Sequence, residues 1–229
     1  MRAKIIAAAA RLIAEGGPNA ATTRAVASAA GVQAPTIYRL FGDKQGLLGA
    51  AVESVLSNYV ATKAGRVADA DPLQDLRNGW DMHVAFGLEH PHVFAITVTS
   101  GLEETVYRTG LDVLRKRVQR LAEEGLLTFS VDRAVALFQA AGMGTVLTLL
   151  QQPEDERDPG LSVAAREAII ASFTREASKR GDDGLVRAAA TTLSARLSQT
   201  SALSKGERLL LQELLTRIAN AQAVPGIDF

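Results

Sequence analysis

Residues 22–48 read TTRAVASAAGVQAPTIYRLFGDKQGLL. Thr22 can cap a short helix in which Val26, Ala27 and Ala30 face inward. Gly31 breaks that helix. A second short helix is predicted from Ala34 to about Leu40, with Ile37, Leu40 and Phe41 apolar. Asp43 can then cap a long helix running to about Arg66. Two short helices joined at Gly31 by a turn of a few residues have a helix-turn-helix layout.

That layout sorts the side chains. Val26, Ala27, Ala30, Val32, Ile37, Leu40 and Phe41 can close a small core. Gln33, Ala34, Pro35, Thr36, Tyr38 and Arg39 are left outside. Gln and Arg can read base edges, Thr can bond base or phosphate, and Ala and Pro can touch a thymine methyl. The Tyr38 hydroxyl can meet a phosphate. Lys44 opens the following helix, where free amides and a cation together favour phosphate.

A first helix, from about Arg2 to Glu15, precedes this stretch. Ile5, Ala9, Leu12 and Ile13 stripe it, and Gly16, Gly17 and Pro18 end it. Residues 1–48 carry six cations and two anions, a net charge of +4 that leaves −4 on residues 49–229. A basic head on an acidic body suits a polyanion at one end only.

The rest reads as helices too. Asp71–Pro72 opens a fifth helix, with Leu73, Leu76, Trp80 and Val84 inward, and Pro91 stops it. Val93–Thr99 is a short β-branched segment. Tyr107, Leu111, Leu114, Val118 and Leu121 stripe the next helix, which Gly125 closes. Ser130 can cap a helix ending near Gln151. Its apolar run, Ala134–Leu150, falls short of the roughly 20 residues of a membrane span. It is therefore expected to be a buried helix, partly covered by a second subunit; with the helix after Ser162 it is the candidate dimer seam, and the last helix, from Ser204, is the rival. Residues 153–160 form an acidic, proline-containing linker. Ser162 and then Asp182 or Asp183 are expected to open two more helices. Ser204 and Glu207, spaced as a capping box, open the last, which carries Leu210, Leu211, Leu214, Leu215 and Ile218. There is no cysteine, hence no disulfide or thiolate metal site, and no signal-peptide pattern heads the chain. A cytoplasmic protein with no membrane partner is expected.

The quoted stretch resembles the DNA-binding domain of the tetracycline-repressor (TetR) family. Thr23–Arg24, Ala30–Gly31–Val32, and Thr36–Ile37–Tyr38 followed by Phe41, Lys44 and Leu47–Leu48 stand at matching positions. The resemblance covers about a fifth of the chain. It implies an all-α protein: a three-helix helix-turn-helix domain over 1–48, then a helical ligand-binding and dimerisation domain over 49–229. It implies that Thr23, Tyr38 and Lys44 hold phosphates, with Arg24 in the same interface. Gln33, Pro35, Thr36 and Arg39 then lie against bases. Two residues depart from the family pattern: Gln33, where many relatives have Ser or Thr, and Gly46, a weak helix residue in a first turn.

The expected function is a homodimeric transcriptional repressor, freed from a palindromic operator by a small apolar or aromatic molecule and needing no cofactor. Trp80, His83, Phe86, Phe94, Thr97, Tyr107, Phe138 and Met143 combine aromatic bulk with a few polar tips, as effector pockets do. Two readings compete. One is a helical enzyme using His83, His90 or His92 with Glu89. The other is an activator without a ligand. Glu89–His90–Pro91–His92 is rich in metal-ligating atoms, but a His-Pro corner between helices is the expected reading and no metal is predicted.

Overall fold

The computed structural model describes residues 1–100, 104–158, 160–174 and 182–220, with side chains described for all of these except 98–100, 104–107 and 182–184. The regular elements of the described chain are all helices, and one isolated antiparallel bridge runs from Leu127 to Thr174. The helices are α1 (Arg2–Ala20), α2 (Thr23–Ala30), α3 (Ala34–Phe41), α4 (Lys44–Gly65), α5 (Pro72–Glu89), α6 (Pro91–Ser100), α7 (Glu104–Glu123), α8 (Val131–Leu150), α9 (Leu161–Phe173), α10 (Asp182–Arg196) and α11 (Lys205–Asn220). Helix α1 kinks at Gly16–Gly17 and resumes through Pro18, so the Gly-Gly-Pro stop signal becomes a bend.

The β-branched segment at 93–99 is helix, not extended chain. Pro91 ends α5 and also begins α6, where its missing N–H is no loss. Burial of Val93 and Phe94 outweighs the mild helix penalty of the β-branched residues.

Two compact units divide the chain: Met1–Val67 with Met82–Leu111, and Ala68–Asp81 with Asp112–Phe229. In the first, one buried cluster runs from Ile5, Ile13, Val26, Ile37 and Leu47 through Ala51, Val52, Leu56 and Val60 to Phe86 and Val93. The small core beneath α3 is therefore continuous with the α4–α6 packing.

The second unit is held by apolar packing and an ionic network. Asp75, almost fully buried, accepts from Arg117 at 3.3 Å and Arg120 at 3.4 Å. Arg77 grips Glu167 of α9, and Arg166 of α9 reaches Asp81 at 2.6 Å. Both arginines hold the Glu167 carboxyl below its usual range, the Arg77 hydrogen bond most of all. Helix α9 begins at Leu161 with Gly160 at its cap position, so no side chain caps it; Ser162, expected to open the helix, lies inside its first turn and accepts from the Trp80 indole N–H at 3.0 Å. Helix α8 is 20 residues long, and among the described residues it is the one helix long and apolar enough to cross a membrane. The sequence reading made it too short because it began the run at Ala134, four residues after the Ser130 cap. It packs on α9 and buries Val135, Phe138, Val146 and Leu149, while Ala136, Ala140, Gly144 and Thr148 lie outside.

Candidate nucleic-acid interface

Thr22 accepts from the Ala25 N–H at 3.1 Å and starts α2. Gly31 ends it with φ +66°, a left-handed conformation that glycine adopts without steric cost, so the chain turns at once into α3. On α3 only Ile37 is fully buried. It anchors the helix to α1 and α4 through the shared core, which leaves a whole face of a two-turn helix open.

Gln33, Pro35, Tyr38 and Arg39 are exposed, and Thr36 is half-buried among them. Tyr38 is 53% exposed, far too much for a core aromatic. Arg24 is exposed and Thr23 half-buried at the start of α2. Lys44 lies half-buried at the first position of α4. Arg24, Arg39 and Lys44 take no part in the ion pairs found among the described residues, which leaves their charges unneutralised by this chain. Gln33 makes no side-chain cap on α3; Pro35 in the first turn supplies the helical φ instead.

Gly46 has a reason that the sequence alone did not give. An added Cβ there would lie 2.2 Å from the Phe41 carbonyl oxygen. Its N–H also donates to Asp43 Oδ1 at 2.8 Å, which caps α4. The α3–α4 turn is so tight that only glycine fits, and this fixes Lys44 close to α3. The sequence reading also missed α1's part: Arg2 lies over the Phe41 ring at 5.0 Å, adding a cation beside the end of α3.

The eight residues expected to line a pocket fall into two groups. In the second unit Trp80, 1% exposed, meets Phe138 edge-on at 5.1 Å, and Phe138 meets Phe173. With its indole N–H bonded to Ser162, Trp80 is a packed core residue. Met143 of the same unit is half-buried on α8, its sulfur 4.0 Å from Gln139 Nε2. In the first unit His83 meets Phe94 edge-on at 5.7 Å, and the Thr97 hydroxyl donates to the Phe94 carbonyl. Phe86 stacks on Tyr59 of α4 at 4.2 Å and leans on His90. Tyr59 is a member of this cluster that sequence reasoning did not single out. The side chain of Tyr107 lies outside the described residues. Burial, and then the charge of Lys63, lower the His83 pKa to about 4, so its imidazole is neutral at physiological pH.

The three histidines do separate work. His83 packs on Phe94, His90 on Phe86, and the His92 ring stands 3.2 Å from where a Gly17 Cβ would be, against the α1 kink. Among the described residues no group of three His, Asp or Glu is placed to hold a metal.

Residues 5–51 match the family described as "Bacterial regulatory proteins, tetR family". Similar solved structures include a putative tetR family transcription regulator from Shewanella sp. PV-4, with 17% identity, TM-score 0.58, and coverage of 76% of this chain and 97% of that one. Another is FadR from Bacillus subtilis in complex with stearoyl-CoA, with 18% identity, TM-score 0.59, and coverage of 74% and 98%. A third is a single-substitution TetR variant from Acinetobacter baumannii AYE in complex with minocycline, with 26% identity, TM-score 0.56, and coverage of 77% and 97%. Each is matched almost end to end, while about a quarter of this chain has no counterpart in it. No curated protein is significantly similar to the chain.

Proposed function

We propose that this chain, a member of the tetR family of bacterial regulatory proteins by its N-terminal domain, is a homodimeric repressor that leaves a palindromic operator when a small apolar or aromatic molecule binds. Members of this family are DNA-binding transcription regulators rather than enzymes. The observation that carries the reading is the open face of α3, with Gln33, Pro35, Tyr38 and Arg39 exposed beside Lys44. Residues 1–48 form the DNA-reading part. Gln33, Pro35, Thr36 and Arg39 read bases, and Thr23, Arg24, Tyr38 and Lys44 hold phosphates. One α3 reads too few base pairs to define a site. Two copies related by a two-fold axis place two such helices in successive major-groove turns.

The effector lies against His83, Phe86, Phe94 and Thr97. These residues offer aromatic surface, a neutral imidazole and one hydroxyl, which suits an uncharged apolar molecule. A solved relative of 26% identity holds minocycline, which supports a small-molecule effector without indicating its polarity. Release follows from the core continuity of the first unit. Phe86 stacks on Tyr59 of α4, so a molecule that displaces Phe86 biases the helix whose first residue is Lys44. The ligand then shifts the population toward a form that fits the operator poorly. The protein acts in the cytoplasm, where its DNA is.

Selection of bound duplexes from a random pool tests the reading. A palindromic consensus supports it, and a featureless pool overturns it. A promoter assay with the selected site separates repression from activation.

A further inference from the structure

We propose that the cavity between α7, the start of α8, α10 and α11 is a second small-molecule site, and that it takes a neutral ring polyol the size of a hexose. It lies wholly in the second unit, whereas the effector residues His83, Phe86, Phe94 and Thr97 belong to the first, so the two sites stand or fall separately.

Helices α10 and α11 place their side chains against the usual order. Leu185, Leu193, Leu210 and Leu214 are exposed. Thr191, Ser194, Gln212 and Thr216 of the same two helices line a cavity of about 260 Å³. Polar residues at inward positions of packed helices are a fault unless they serve a site. The facing wall is polar as well, with Gln119 of α7 and Ser130 at the start of α8. Thr191 is 2% exposed and Ser130 8%, so the cavity reaches well below the surface. Space lined in this way calls for an occupant that makes hydrogen bonds.

The bonds already made decide what that occupant must offer. Thr191 spends its proton on the Phe129 or Arg187 carbonyl, and Thr216 on the Gln212 carbonyl. Gln119 spends its amide protons on Glu123 and the Ala195 carbonyl. Each of the three keeps oxygen lone pairs that can accept. Gln212 donates to Ser194, which leaves one amide oxygen and one hydroxyl proton. Val131 and Asp132 begin α8, where the first N–H groups have no carbonyl of their own helix to reach. Acceptors on three helices beside donors at the start of a fourth match hydroxyl groups, which both give and take. An ion is disfavoured. Arg115 and Asp132, the charged lining residues, are paired with each other, and stripping water from an ion against neutral groups is costly. Val131, Ala195 and Ala219 supply small apolar patches for the carbon face of a ring. The volume is below the roughly 300–1,000 Å³ of sites for drug-sized ligands, which selects a single ring.

Calorimetric titration of the full chain with D-glucose, myo-inositol, glycerol and the diamine putrescine tests this. At least one of the two ring polyols should bind saturably, one per chain, at millimolar concentration or below and more tightly than glycerol. Thr216→Val removes an acceptor at nearly constant size and should weaken that binding roughly two- to tenfold, the worth of one hydrogen bond. Ala195→Leu fills the cavity and should abolish binding, with circular dichroism confirming that each variant folds. If Ala195→Leu does not fold, Thr216→Val carries the test. Sugars also stabilise proteins by exclusion from their surface, but that effect has no saturation point. Heat that saturates for neither ring polyol would overturn the site. So would binding that a folded Ala195→Leu protein, or Thr216→Val, retains at parent strength. Tighter binding of putrescine would overturn the neutral class of ligand. None of these results bears on operator binding, so the proposed function is judged apart from them.

Discussion

Two helix pairs in this chain, α2–α3 and α10–α11, differ most in what they leave outside. The first buries Val26, Ala27, Ala30 and Ile37 and exposes Gln33, Tyr38 and Arg39. The second buries Ala190, Leu215 and Ala219 and exposes Leu210, Leu214 and Ile218. Amphipathic helices bury their apolar stripe unless something else covers it. The α2–α3 pair obeys that rule, and what remains outside suits a charged, hydrogen-bonding polymer. The α10–α11 pair breaks it, and what remains outside suits another protein surface. The character of the outward face therefore separates the two partners that the helices themselves do not.

The first way to break this comparison is at matched glycines in the opening turns of α4 and α11. At Gly46 an added Cβ meets the Phe41 carbonyl oxygen at 2.2 Å, and the obstacle is backbone. Gly46→Ala should therefore cost about 3 kcal/mol of stability, the upper end of what forcing an extra carbon into filled space costs. Thermal unfolding measures this, and operator binding should fall with it because Lys44 shifts. A Gly46→Ala protein that melts like the parent would show that the turn relaxes freely and that Lys44 is not fixed.

Base reading comes next. Arg39→Ala or Gln33→Ala should lose about 1–3 kcal/mol of discrimination at particular operator positions, the value of a good bidentate base contact. Binding to a panel of single-base operator variants reads it. An unchanged preference profile in both variants would mean that neither side chain reads sequence and that the exposed α3 face holds only backbone.

A smaller effect separates the two faces by salt. Lys44→Ala should weaken specific and non-specific DNA alike and reduce the salt slope by roughly one unit, for one lost phosphate contact. Arg217→Ala, equally cationic but on the hairpin, should leave the slope unchanged once binding is corrected for the fraction of dimer. Equal slope changes in both would mean that DNA runs over the hairpin as well.

Much of this was legible in the sequence, and the exceptions share a cause. The caps at Thr22, Asp43, Ser130 and Ser204 were readable because capping is a local contest between a side chain and the next three amides. The exposed set on α3 was readable because two turns of helix with one buried Ile37 leave little choice. The β-branched run at 93–99 was read without a helix, and only tertiary burial of Val93 and Phe94 explains why it is one. Gly46 looked like a flaw because its constraint, the Phe41 carbonyl, belongs to a three-dimensional turn. The neighbours within the aromatic set were not legible, because periodicity marks what is apolar and not which neighbour it meets. Trp80 and Phe86 accordingly pack on different partners. The leucines of α11 were counted as its apolar stripe, which they are. A pattern does not say whether the covering surface belongs to the same chain.

The smallest effect bears on that last point. Gly206 sits in the first turn of α11 with negative φ, and nothing lies within 4 Å of an added Cβ. Within one copy, Gly206→Ala should therefore stabilise by roughly 0.5–1 kcal/mol, by restricting the unfolded chain. Chemical denaturation of the two proteins at the same concentration measures the difference. A Gly206→Ala protein no more stable than the parent would show that a methyl group at this position is not free, and that the exposed face of α11 beside it is covered by something outside this copy.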